Sequence, residues 1–117
     1  DLKKSINEYD ENRNINHIPK IELIKGNAKK TIPSYIKKNK HILISLLYFD
    51  FVVYEPTKIA LKYLLPRMTK GSIIAFNDLN NQDWPGETVA LMEKLNLNKF
   101  KIDCFPFEPN ISYTIVK

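Results

Sequence analysis

The chain is poor in cysteine, glycine and arginine, and each shortage closes off a class of function. A single cysteine, Cys104, has no partner for an internal disulfide and offers too few thiolates for a zinc cage. A reducing compartment is the simplest setting, so we expect a cytoplasmic protein. The three glycines, Gly26, Gly71 and Gly86, stand far apart, and no two share one glycine-rich loop. Arg13 and Arg67 are the only arginines among 18 basic residues. Nucleic-acid readers usually add arginine forks or exposed aromatic ladders to their lysines, and neither pattern is evident. The net charge of +5 therefore speaks to solubility and loose association, and no nucleic-acid partner is expected. No apolar run reaches the roughly 18 to 20 residues of a membrane span. The longest, Ile42 to Val53, is broken by Ser45 and Asp50. No signal-peptide pattern is present, and the start at Asp1 rather than Met reads as processed, tagged or cut.

What is present suits one domain over residues 1–117. A hydrophobic share of 44% with 26% charge lies in the globular range. Residues 1–20 are polar with thin apolar spacing at Leu2, Ile6, Tyr9 and Ile15, which predicts an amphipathic helix running into a loop as a lead-in. Ile21 to Lys25 alternates and meets Gly26-Asn27, which predicts a strand and a turn. Thr31 as N-cap with Pro33 in the first turn predicts a short helix. His41 to Asp50 is dense enough in apolar residues for a strand buried on both faces. Glu55 to Leu65 has helical period and stops at Pro66, and Gly71 opens a second buried strand from Ser72 to Phe76. A helix from Glu87 to Leu95 and two strands, Phe100 to Phe105 and Ile111 to Val116, complete the chain. Strand and helix alternate until a closing hairpin. The expected class is α/β, a Rossmann-like, doubly wound and mostly parallel sheet with a C-terminal antiparallel hairpin.

In such sheets ligands gather beyond the carboxyl ends of the strands. Asn27, Asp50 and the pair Asn77-Asp78 stand at those ends. Carboxylate and amide oxygens suit a hard cation such as magnesium, which makes Asp50, Asn77 and Asp78 candidate metal ligands. The competing reading is that they cap strand-to-helix loops. Tyr54 either shapes a substrate pocket or packs, and Trp84 either shields the site or anchors its loop. Cys104 reads as a small core hydrophobe. Leu61, Leu64, Leu65, Leu91 and Leu95 read as helix core. His17 and His41 read as bystanders.

Several stretches carry a resemblance: Leu47-Tyr48-Phe49-Asp50-Phe51-Val52-Val53-Tyr54-Glu55-Pro56-Thr57, Leu64-Leu65-Pro66-Arg67-Met68, Gly71 to Asp78 and Trp84-Pro85-Gly86-Glu87. In this order and spacing the set resembles the macrocin O-methyltransferase family, class I S-adenosylmethionine-dependent enzymes that methylate sugar hydroxyls. Glu22 to Ala28 with Thr31-Ile32-Pro33 resembles the segment after that family's third strand, so the match covers residues 20–95 and corresponds to its C-terminal part. The resemblance implies S-adenosylmethionine as cofactor, with Asn27 and Ala28 against its adenine. It implies Asp50 as metal ligand and as the base that takes the hydroxyl proton, and Asp78 as second ligand. Magnesium is an optional cofactor. Val52 stands where the family has a second acid and Asn77 where it has an aspartate, which thins the charge available to a metal.

The family's first two strands, and the glycine-rich loop between strand and helix that grips the cofactor, have no counterpart in these residues. We expect a fragment whose missing part comes from upstream sequence or from a second chain in a homo-oligomer. Otherwise the strand Ile21–Lys25 shifts to pair with His41–Phe49 in a five-stranded sheet. The leading function is methyl transfer to a sugar or related small-metabolite hydroxyl, with a sugar-like small molecule as substrate and no membrane partner. The alternatives are a non-catalytic Rossmann-like assembly module with an eroded cofactor site, and a related modifying enzyme of another reaction type.

Overall fold

The first ten helical residues, α1 (Leu2–Glu11), form as their spacing predicts yet bury none of their side chains. Arg13 ties the helix to the loop behind it, donating to Asp10 Oδ1 at 3.0 Å and to the Ile18 carbonyl at 2.7 Å. The computed structural model describes all of residues 1–117. The strand expected at Ile21–Lys25 does not form. That segment takes no regular structure and is unpaired, with Ile21, Leu23 and Ile24 all exposed. A five-residue alternating run needs a neighbour to take its N–H and C=O groups, and the segment pairs with no strand, the outer edge of β1 included.

Helix α2 (Ala28–Lys38) starts earlier than its Thr31 cap signal suggests. Asn27 is the cap instead, its Oδ1 accepting the Lys29 N–H at 3.0 Å. Pro33 then lies inside the helix, where its missing N–H costs one backbone bond near the N-terminal end.

Strand β1 (Ile44–Phe49) is shorter than the apolar run that announces it. It is not buried on both faces: Leu46 and Tyr48 are exposed and only Phe49 is fully covered. The reason is its place in the sheet. The strand order is β1-β2-β4-β3, so β1 is an outer strand paired on one side only. Helix α3 (Tyr54–Leu64) and a short turn at Leu65–Arg67 cross over to β2 (Met68–Asn77), which runs parallel to β1. Helix α4 (Gly86–Lys94) follows, and β3 (Asp103–Phe105) with β4 (Glu108–Ile115) closes the sheet as an antiparallel hairpin, β4 lying against β2. The sheet is therefore mixed, with one parallel and two antiparallel pairings. No helix is long and apolar enough to cross a membrane.

One face of this sheet is covered. Phe49, Ile74 and Phe76 meet Ala60 and Leu61 of α3 and Ala90, Leu91 and the adjacent Leu95 of α4 in a single core. Phe49 and Phe76 stack at 5.0 Å between ring centres, joining the two parallel strands. The opposite face follows from the register: Leu46 lies beside Ile73, which lies beside Ile115, and Tyr48, Ala75 and Tyr113 form the next row. Leu46, Tyr48, Ile73 and Ile115 on this face are exposed, and only the small Ala75 is buried.

Candidate active site

The parallel register that sets Phe49 opposite Phe76 also sets Asp50 and Asn77 at neighbouring strand ends. There Asn77 Nδ2 donates to Asp50 Oδ1 at 3.1 Å. Asp50 is exposed, whereas Asn77 and Asp78 are half-buried. Asp78 turns the chain out of β2 with φ +60, a left-handed value that aspartate tolerates, and its N–H donates to the Asn110 carbonyl at 2.9 Å. Asp50, Asn77 and Asp78 thus gather at one end of the β1–β2 pair; Asn27, expected at a strand end with them, caps α2 instead, since no strand forms before it.

The loop after β1 is held by a residue that sequence reasoning gave no role. Glu87, in the first turn of α4, is wholly buried, and its Oε1 accepts the N–H groups of Phe51 at 2.9 Å and Val52 at 3.1 Å. Oε2 is buried without a partner. Burial pushes this carboxyl above its ordinary range, the two N–H groups pull it back, and the negative charges of Asp50 and Asp78 add to the rise. Its position depends on Gly86. A β-carbon there would collide with the Tyr54 nitrogen and lie 2.7 Å from the Val53 carbonyl carbon, so only glycine lets α4 dock this closely on the loop. The signal for Glu87 was its place in the Trp84-Pro85-Gly86-Glu87 stretch; an acid buried at a helix start has no period that would reveal it.

The same carboxylate edge is felt at Tyr48. Partial burial first, then Asp50, Glu87 and Asp78, push its phenol upward. Tyr54 points elsewhere. It donates to Glu93 and accepts from Lys58 Nζ at 2.8 Å, bracing α3 against α4, which is a packing role. The Tyr54 phenol holds the Glu93 carboxyl low and the Lys58 ammonium high. Trp84 is exposed and anchors nothing to the core; its backbone N–H donates to Asn81 Oδ1 at 3.3 Å. Cys104 is exposed, not a core residue, because β3 is the other outer strand.

On the near side of the loop lies an apolar cleft of about 400 Å³, walled by Ala28, Thr31, Ile32, Tyr35, Phe51 and Leu64 among others. Phe51 links it to the Asp50 loop. Ala28, where the resemblance puts the adenine, is one of the cleft's walls. The Asn27 oxygen that an adenine amine would need already caps α2, with its second lone pair still free. For a divalent cation the donors are two carboxylates and an amide, with Val52 contributing nothing, and no group of three acidic, histidine or cysteine side chains is gathered here. Such a set fits only a loosely held ion.

No family model and no curated protein matches the chain. Solved structures do. CalS11, a TDP-rhamnose 3′-O-methyltransferase of calicheamicin biosynthesis, matches in its apo structure with a TM-score of 0.92 and 35% identity, over 97% of this chain and 49% of that one. A second CalS11 structure, described as a calicheamicin methyltransferase, matches with the same score and identity over 45% of its length. The chain spans about half the length of these relatives. In fold and in sequence, over nearly all of its residues, the chain is similar to sugar O-methyltransferases, as its macrocin O-methyltransferase-like motifs imply.

Proposed function

We propose that in the complete protein these residues form the acceptor side of an S-adenosylmethionine-dependent O-methyltransferase acting on a sugar or related small-metabolite hydroxyl. The observation that carries the reading is the Asp50–Asn77 pair at adjacent parallel strand ends, in a chain 35% identical over 97% of its length to a TDP-rhamnose 3′-O-methyltransferase. S-adenosylmethionine, when bound, supplies an electrophilic methyl group. Ala28 and Phe51 line the cleft, and Asn27 offers an amide to the adenine. Asn77 occupies one lone pair of Asp50 Oδ1, which would leave Oδ2 to take the proton of the acceptor hydroxyl as its oxygen bonds to the methyl carbon, while the sulfonium's methyl bond breaks and the thioether leaves. A cation is not required for that transfer, and Asp50, Asn77 and Asp78 hold magnesium weakly.

The free edge of β1 and the open sheet face support the reading that further sequence, or a second copy of the chain, completes the site. We place the complete protein in the cytoplasm on its single cysteine. A second reading, the non-catalytic assembly module, draws on Val52 and Asn77, which stand where the family carries acids.

The deciding experiment incubates the complete protein with S-adenosylmethionine and a panel of nucleotide-linked sugars, TDP-rhamnose included, and follows methyl transfer by mass spectrometry. Asp50→Asn should cut turnover about a hundred- to ten-thousand-fold with cofactor affinity nearly unchanged. Undiminished turnover in that variant removes Asp50 as the base. A complete protein that binds no S-adenosylmethionine rejects the methyltransferase reading.

A further inference from the structure

We propose that Glu87 is a positioning residue of this site: its buried carboxylate clamps the Phe51 and Val52 N–H groups and so fixes the turn that aims Asp50 at Asn77. The proposal rests on the reading of Asp50 as the base only for its kinetic consequence; the clamp itself is geometric.

Three observations converge. First, one oxygen of a wholly buried side chain serves two consecutive backbone N–H groups from a loop 35 and 36 residues away in sequence. Neither N–H belongs to a strand ladder or a helix, and without Glu87 both would face the core unpaired. Second, Val52 adopts φ +65. A β-branched residue in the left-handed region is a true outlier and persists only where its surroundings over-determine it. The bond from Val52 N to Glu87 Oε1 is the restraint acting on that residue. Third, Gly86 removes the side chain that would hold α4 away from Val52, Val53 and Tyr54. Helix, carboxylate and turn therefore form one unit, and Asp50 is the residue just before it. A shift of about 1 Å in a reacting group is enough to cost on the order of a hundredfold in rate, so a loosened turn should be read directly in turnover.

Hydrogen exchange in the complete protein tests the clamp without any variant. The Phe51 and Val52 amides should be strongly protected; exchange of both at open-loop rates overturns the proposal. Two variants then separate positioning from packing. Glu87→Met keeps the volume and removes the acceptor, and should expose both amides and lower turnover about ten- to a hundredfold at unchanged KM for S-adenosylmethionine. Glu87→Gln keeps an acceptor oxygen and should restore protection and most of the turnover. Folded Glu87→Met with both amides still protected, or with exposed amides and full turnover, overturns the proposal. Asp50→Asn is run beside them: full turnover in that variant rejects Asp50 as base, while amide protection still decides the clamp.

Discussion

The two faces of the sheet were written in the same apolar alphabet and met different fates. Under α3 and α4, Phe49, Ile74 and Phe76 are sealed. On the other side Leu46, Tyr48, Ile73 and Ile115 stand at the surface, continuing into the stacked rings of Tyr113, Phe105 and Phe107. Contiguous exposed apolar surface of this kind is a mark of a contact site. The contrast teaches where the candidate site gets its rigidity. Glu87, which holds the Asp50 loop, is buried on the sealed side, whereas the cleft beside Ala28 is walled in part by Ile24 and Gly26, from a segment that pairs with nothing.

The sharpest way to break this comparison is to truncate a residue on each face. Ile74→Ala should destabilise the chain by about 2–5 kcal/mol in denaturant unfolding, whereas Leu46→Thr should stay within about 0.5 kcal/mol in residues 1–117. Similar losses from both would show that the open face is covered in solution.

The same contrast explains what was legible beforehand. The apolar density of His41–Asp50 correctly marked a strand but overstated its burial, because side-chain type reports the cover a strand is suited to and not the cover it has. The Ile21–Lys25 alternation misled for a related reason: a strand exists only in pairs. Asp50, Asn77 and Asp78 could be grouped because strand ends in a parallel pair share one edge. Glu87 could not, since its role arises from the docking of α4 onto a loop far away in sequence. Asn27 bears the competing reading of the strand-end residues as loop caps: it caps α2, as asparagine before a helix commonly does.

A smaller effect is expected from Gly86→Ala, which forces α4 off the Asp50 loop. Overpacking of this kind costs about 1–3 kcal/mol, and thermal unfolding should show it. A variant as stable as the parent would mean that α4 and the loop part easily.

Acid titration sharpens the comparison further. Burial raises the Glu87 carboxyl above its ordinary value of 4.5, so the folded chain holds that proton more readily than the unfolded one. Its stabilising contribution is full below that ordinary value and is lost as pH rises through the raised one. Unfolding measured in pH steps should therefore show wild type losing ground to Glu87→Gln as pH rises through this window. Glu93, held low by the Tyr54 phenol, works in the opposite sense, its contribution present above its ordinary value and lost as pH falls. A flat difference between wild type and Glu87→Gln would show that the two N–H bonds cancel the burial.

The smallest change is expected from a chelator. With two carboxylates and an amide in reach, methyl transfer by the complete protein should fall less than about twofold when divalent ions are removed. Val52→Asp should tighten magnesium binding by calorimetry. Complete loss with chelator and complete recovery with magnesium would contradict the weak-site reading.

The backbone at Val52 also has a bearing on how readily this site could change over evolutionary time. Its φ of +65 is a value that aspartate and asparagine accept at lower cost than valine. The turn therefore has a shape suited to a short polar side chain while carrying a branched apolar one. An acid there asks for no rebuilding of the loop: a single substitution, favoured by the local conformation itself, would introduce one.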